Sequence, residues 1–550
     1  MHSTMGNVDM QIRRLLDHGA TVHGTSQVIT ADPAPDRPTR NTFGDIAANA
    51  ARLAGGLRSL GIEPGDRVAT FMWNNQQHVE AYFAVPAMGA VLHPLNIRLA
   101  PEQISYIANH AGDRAVIVDH TLLDAFRAIV PDLTTIEHII VNGPVADTKP
   151  GDGRVTIHDY HGLLDGQPTR YDWPTIDETA AAAMCYTSGT TGQPKGVVYS
   201  HRSICLHALA SALPDAFDLS ARDTVLAVVP QFHVLAWGLP YSALLTGASL
   251  ALPDRFLAAQ ALAQFIEHTQ ATKGAAVPTV WTALLNHLDA HPPRQPLSLT
   301  EAIVGGSAMP AVLMDGFANR HGVTMVHAWG MTEMSPLGTV SRPPATATAE
   351  QATGYRLTQG RLLGLVEAKL VDGHGSELPW DNESVGELLV KGPWITAGYH
   401  NDPESDDDSF PDGWLRTGDV GRLSRDGYLT LTDRAKDVIK SGGEWISSVE
   451  IEGLLVGHPA VAEAAVIGVA DDRWGERPLA AIVLAVKASG TPEELREYLS
   501  ELIPRWQLPE RWSFIDEVPK TSVGKFDKKA LRARYAAGQL PVIRLQSTPV

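Results

Sequence analysis

The chain has 550 residues, a formal net charge of −18 and a pI of about 5.6. That length exceeds what one hydrophobic core serves and predicts at least two domains, while the acidic balance argues against a nucleic-acid partner. Two cysteines, Cys185 and Cys205, leave no disulfide framework or thiolate metal site; they suit a reducing compartment, so a cytoplasmic location is expected.

The first ten residues are polar, and no signal peptide is expected among them. Residues 46–60 carry apolar side chains at helical spacing and stop at Gly61, a natural C-cap. Pro64-Gly65-Asp66 turns into a strand at 67–71, a helix follows over 77–88, Pro101-Glu102 opens another, and 115–118 reads as a buried strand. Strands alternating with helices predict parallel, doubly wound sheets with helices on both faces, an α/β domain. Residues 224–253 carry no formal charge, yet Pro230, Gln231, His233 and Pro240 interrupt them. The segment is expected to be buried core crossing an active site rather than a membrane span. Residues 402–409 read as an acidic, solvated loop, and 546–550 as a frayed end. Beyond Asp433 the character changes: strands at 461–466, 479–484 and 512–515 with helices at 449–455 and 492–502 predict a small α+β domain.

The segment Tyr186-Thr187-Ser188-Gly189-Thr190-Thr191-Gly192-Gln193-Pro194-Lys195-Gly196 has the composition of an anion cradle. Glycines let the backbone approach a ligand, amides and hydroxyls donate, and a lysine adds charge. It is not a Walker loop, because Pro194 separates Gly192-Gln193 from Lys195. Six further segments follow: 230–237 with His233, Val234 and Trp237; Gly305-Gly306-Ser307-Ala308-Met309-Pro310; His327-Ala328-Trp329-Gly330-Met331-Thr332-Glu333; 414–419 ending in Asp419; 433–446 with Arg434, Lys436, Lys440, Gly442, Gly443 and Trp445; and 519–525 ending in Lys525. In isolation each is unremarkable: Gly-Gly-Ser is a turn, Thr-Glu a surface pair, a C-terminal lysine a solvated charge. Their order carries the inference.

Together these segments, from Tyr186 to Lys525, resemble the adenylate-forming superfamily of acyl-CoA synthetases, peptide-synthetase adenylation domains and firefly-type luciferases. They look most similar to its medium- and long-chain fatty acyl-CoA synthetases, a branch that includes enzymes for short methylthio acids. The resemblance implies a large N-terminal adenylation domain over 1–432, a hinge at 433–437 and a small mobile C-terminal domain over 438–550. It places ATP on Thr187, Ser188, Gly189, Thr190, Thr191 and Lys195, with the rest of the nucleotide near Gly306, Ser307, Ala308, His327, Ala328, Trp329, Asp419, Arg434, Lys436 and Lys440. Thr332 would meet the α-phosphate. Glu333, joined by Thr187, would hold Mg²⁺, a hard cation that takes oxygen ligands. His233, Val234, Gly306 and Trp237 would line and gate the acyl pocket. Gly442, Gly443 and Trp445 would face CoA. Lys525 would be the catalytic lysine and Lys436 the pivot.

The implied chemistry is RCOO⁻ plus ATP giving acyl-AMP and pyrophosphate, then thiol attack by CoA after domain rotation. The nearest rival is an adenylating enzyme that delivers to a carrier-protein thiol or an amine. The resemblance also allows a homodimer through the N-terminal domain. Gln231, where Met is commoner, and His327-Ala328, in place of a frequent Gln/Asn-Gly pair, depart from the family pattern and leave the acid open.

Overall fold

The computed structural model describes residues 1, 3–33, 37–145, 153–187, 193–441, 444–486, 488–521 and 525–545, apart from the side chains of 405–407 and 444–445. Three sheets organise them. The first has seven strands in the order Thr156–Asp159, His138–Asn142, Asp113–Asp119, Arg67–Phe71, Val91–Pro94, Ala181–Tyr186, Gly196–Ser200. All its pairings are parallel except the last, where Ala181–Tyr186 and Gly196–Ser200 run antiparallel and flank the glycine-rich segment.

The second sheet has fourteen strands. Gln27–Thr30, Ser249–Leu252, Thr224–Ala227, Lys273–Ala276, Glu301–Gly305 and Thr324–Gly330 form its parallel half. From Thr324–Gly330 onward every pairing is antiparallel, through Leu337–Val340 and Gly360–Leu362 to the meander Tyr428–Arg434, Leu415–Leu423, Gly386–Lys391 and Glu367–Val371. Doubly wound parallel architecture thus describes the first sheet and half of the second. The antiparallel half was not visible in the sequence because its strands mix polar with apolar residues, as in Leu415–Leu423.

Local signals match local structure where periodicity is strong. The helix expected over 46–60 spans Phe43–Ser59, begun by a capping box between Thr42 and Asp45. The uncharged segment is buried as expected: between Val225 and Leu252 nearly every side chain is out of solvent, including Trp237 and Tyr241. Each such large apolar side chain contributes about 1.5–3 kcal/mol by leaving water. The acidic stretch is not a loop: it folds as a 3-10 turn Pro403–Ser405 and a one-turn helix Asp406–Ser409. No helix among the described residues is long and apolar enough to cross a membrane.

The third sheet belongs to the C-terminal part. It comprises Glu444–Ile446, Ile439–Ser441, Gly475–Leu484, Arg511–Phe514 and Ile543–Arg544, with Val461–Asp471 pairing Gly475–Leu484. Helices Ser448–Val456 and Pro492–Ser500 pack their apolar residues into a core with Trp512, and Lys528–Ala536 contributes Leu531 to a second small core.

Candidate active site

Two parallel strands, Glu301–Gly305 and Thr324–Gly330, end side by side, paired Gly305 to Ala328. The carboxyl ends of such strands, next to a change of strand direction, are where open α/β sheets bind ligands. Here the sheet switches from parallel to antiparallel at that point.

Asp419, on strand Leu415–Leu423, is 2% exposed and doubly engaged. Its Oδ2 accepts the Trp329 indole N–H at 2.8 Å, and its Oδ1 meets Arg434 Nε at 2.7 Å. Each carboxylate oxygen keeps a further lone pair for an incoming hydroxyl. The Trp329 ring rests against Gly338, where a Cβ would stand 2.7 Å from Cζ3. His327 is buried with Nδ1 2.9 Å from the Thr358 carbonyl and Nε2 3.3 Å from the Ser307 carbonyl. Burial pushes its pKa down to about 4, so the ring is neutral, donates to one of these carbonyls and stands between the Gly305–Pro310 loop and residue 358.

Glu333 sits in the 3-10 turn Thr332–Met334 and is 7% exposed. Burial raises its pKa, while a hydrogen bond from the Tyr399 hydroxyl to Oε1 at 2.9 Å opposes the rise. Lys195 Nζ lies 4.6 Å over the Tyr399 ring and 3.5 Å from Asp402 Oδ2. Lys195, Tyr399 and Glu333 therefore form one chain from the glycine-rich segment to the buried carboxylate. Thr187 anchors the base of that segment: its N–H donates to the Lys195 carbonyl at 2.9 Å, and its hydroxyl accepts the Lys195 N–H at 3.4 Å.

Lys525 reaches this cluster from the C-terminal part. Gly306 has φ +87°, and a Cβ there would stand 3.3 Å from both Lys525 Cε and Val277 Cγ1. The lysine stem therefore packs on bare backbone, an approach that only glycine allows without strain. Loss of hydration, followed by the charge of Arg434, lowers the Lys525 pKa to about 8, against the pull of Asp419 and Glu333.

The apolar side of the site is built unusually. Val234, Leu235, Ala236, Trp237 and Gly238 have φ of 45°, 53°, 51°, 56° and 75°, one left-handed turn. Four non-glycine residues in that region cost roughly 1–2 kcal/mol each, so the surrounding packing must enforce the turn. The buried Cys185 thiol lies beside the Leu235 and Val234 backbone, and His207 lies where a Gly238 side chain would be. The turn presents Trp237 to Gly305, where a Cβ would stand 2.9 Å from Cη2. His233 opens the turn; burial, then the charge of Lys525, holds its pKa down to about 3, so it is neutral. Gln231 is fully buried, and neither its Oε1 nor its Nε2 has a hydrogen-bond partner among the described residues.

The structure thus brings together Lys195, His233, Gly306, Trp329, Glu333, Asp419, Arg434 and Lys525, drawn from seven separate segments. It leaves Lys436 and Lys440 with exposed side chains, outside this cluster. Ser188, Gly189, Thr190, Thr191, Gly442 and Gly443 lie outside the described residues, as does the Trp445 side chain. Sequence reasoning missed Tyr399, Asp402 and Val277. Tyr399 stands three residues before the stretch read as a solvated acidic loop, and an aromatic residue so close to Asp402 was the available signal.

Residues 16–400 match the AMP-binding enzyme family, and 450–525 match the AMP-binding enzyme C-terminal domain. The 3-methylmercaptopropionyl-CoA ligase of Ruegeria lacuscaerulensis is 43% identical over 95% of this chain and 97% of its own. The medium-chain-fatty-acid–CoA ligase of Ectopseudomonas oleovorans is 41% identical over 95% of this chain and 96% of its own. The crystal structure of the anthranilate CoA ligase AuaEII in complex with anthranoyl-AMP aligns with a TM-score of 0.86 at 26% identity, covering 98% of this chain and 100% of that one. With both of its parts matched and relatives aligned almost end to end, this chain belongs to the AMP-binding enzyme family.

Proposed function

We propose that this protein is an ATP-dependent carboxylic acid–CoA ligase acting on a medium- or long-chain fatty acid or a short methylthio acid. In the first step a carboxylate oxygen attacks the α-phosphate of ATP. The bond to the β-phosphate bridging oxygen breaks, giving acyl-AMP and pyrophosphate. In the second step the CoA thiol attacks the acyl carbon, AMP leaves, and the thiol proton goes to solvent. The convergence of Lys525 on Gly306, within reach of the fields of Arg434, Asp419 and Glu333, carries the reading.

The first step brings two anions together. A lysine ammonium between them lowers the repulsion most where water is excluded, and the Lys525 stem is already seated against the large domain. Asp419 would take the ribose hydroxyls on its remaining lone pairs, and Trp329 would offer its free face to adenine. Neutral His233 cannot compete as a cation for the carboxylate, so it serves as a hydrogen-bonding wall of the acid pocket, with Trp237 as its gate.

Mg²⁺ fits the donor set: Glu333 is a buried carboxylate with a raised pKa, and Thr187 supplies a hydroxyl. One carboxylate completed by phosphate oxygens is a usual Mg²⁺ arrangement. When bound, the ion neutralises phosphate charge. For the second step the C-terminal domain, 438–550, turns about the hinge at 433–437, withdrawing Lys525 and bringing the 442–445 segment to the adenylate.

The test is mass spectrometry of products from ATP, Mg²⁺ and CoA with acids from propionate to stearate plus aryl and methylthio acids. Acyl-CoA and AMP in equal amounts from one window of acids is the expected result. Acyl-AMP accumulating without acyl-CoA would mean that the acceptor is a carrier-protein thiol or an amine.

A further inference from the structure

A buried charged network spans the segment that connects the two parts of the chain. Asp433 closes strand Tyr428–Arg434, which is hydrogen-bonded into the large sheet. Ser447 and Ser448 open helix Ser448–Val456, and Lys528 opens helix Lys528–Ala536. Asp433 is 4% exposed and Ser448 fully buried. The Ser448 N–H donates to Asp433 Oδ2 at 2.7 Å, and the Ser448 hydroxyl donates to the same oxygen. Lys528 Nζ donates to Ser448 Oγ at 2.5 Å and lies 2.8 Å from Glu452 Oε1. Burial works against the Lys528 ammonium, but Glu452 and then Asp433 outweigh it and raise its pKa. One helical turn on, Arg532 Nη2 donates to Asp437 Oδ1 at 2.5 Å and to the Lys436 carbonyl at 3.4 Å.

The two carboxylates around Lys528 are not equivalent. Glu452 belongs to the C-terminal part and also accepts the Val466 N–H at 2.7 Å, so it travels with Lys528. Asp433 belongs to the large sheet, on the other side of the proposed pivot. Lys525 stands three residues before Lys528, on a loop tied by the Thr521 N–H to the Lys525 carbonyl at 2.7 Å and by the Asp527 side chain to Ala530 N at 2.9 Å. The helix that carries Lys528 and Arg532 therefore links the connecting segment to the lysine.

We propose that Asp433 is a positioning residue for acyl adenylation: its carboxylate, through the Ser448 hydroxyl and the Lys528 ammonium, fixes the Lys528–Ala536 helix so that Lys525 seats on Gly306. The inference rests on the reading of Lys525 as the adenylating lysine. Glu452 keeps Lys528 paired in either orientation, so loss of Asp433 weakens the contact across the pivot and leaves the small domain's internal pairing in place. Rates that depend on a placed charge respond steeply to small displacements, whereas a step made after the domain has turned does not use this contact.

Asp433→Ala and Ser448→Ala are each assayed for pyrophosphate release from acid and ATP, and separately for acyl-CoA formation from supplied acyl-AMP and CoA, with thermal melting alongside. Pyrophosphate release is expected to fall about tenfold or more, the weight of one buried charge-assisted hydrogen bond, with thioester formation unchanged. Where Asp433→Ala does not fold, Ser448→Ala carries the same expectation. Unchanged rates, or an equal fall in both half-reactions, would overturn the proposal. Lys525→Ala is the control. If it spares pyrophosphate release, the reading of Lys525 fails and this inference with it; if it is crippled while the other two variants are not, only the inference fails.

Discussion

The nucleotide face of the large domain and the lysine that completes it are held in opposite ways. Asp419, Glu333 and His327 are buried, each with hydrogen-bond partners from distant strands or turns of the large domain. Lys525 lies between the two partners of a short β-bridge, Lys520 and Phe526, just ahead of a nine-residue helix, and meets the large domain at a bare glycine. The contrast teaches how one site can serve two reactions. On the proposed reading, what both steps would need is built into the sheet, and what only the first step would need is delivered by a part that turns away.

The sharpest way to break that contrast is to remove the delivered group. Lys525→Ala is expected to slow pyrophosphate release by at least ~10²–10³, the cost of one electrostatic donor in a preorganised site; a loss under tenfold would show that the lysine is not central. Next comes its seat. Gly306→Ala adds a Cβ at φ +87° and 3.3 Å from Lys525 Cε, costing about 1–3 kcal/mol of backbone strain. Pyrophosphate release should fall about tenfold or more as the loop shifts, and wild-type rates would mean that Lys525 does not dock there.

A third test uses pH. With the Lys525 pKa lowered to about 8, kcat/KM for adenylation should be flat below that value and fall as pH rises through it, because the ammonium is the active form. His233, held near 3, stays neutral across that range and contributes no limb. Lys525→Arg, whose guanidinium does not deprotonate, should abolish the alkaline limb even if its rate is lower. A limb that persists in that variant belongs to another group.

The smallest effect tests the fixed side. Gln231 buries both amide atoms without partners among the described residues. Gln231→Met, of similar volume, should raise stability by about 1–3 kcal/mol by removing that desolvation cost, read as a higher melting temperature. A lower one would show that the amide is satisfied in solution.

Much of this was legible before the fold was seen. The alternation of strands and helices at 46–118 and the ordered motifs at 186–196, 305–310, 327–333, 414–419 and 519–525 pointed to the sheets and to the cluster. Other features were not. The left-handed turn is spelled Val-Leu-Ala-Trp-Gly, residues that avoid that conformation in isolation, so only the enclosing packing can impose it. Tyr399 and the Asp433–Lys528 network were hidden because each joins residues far apart in the chain, Lys195 to Glu333 or 433 to 528. A single sequence carries no signal for such pairings.

The most direct measurement gives presynthesised acyl-AMP and CoA to Lys525→Ala and to the unaltered enzyme. Acyl-CoA should form at the same rate in both, although Lys525→Ala makes the adenylate from acid and ATP at least ~10²–10³ more slowly. An equal loss in both half-reactions would contradict the division between a fixed nucleotide face and a delivered lysine.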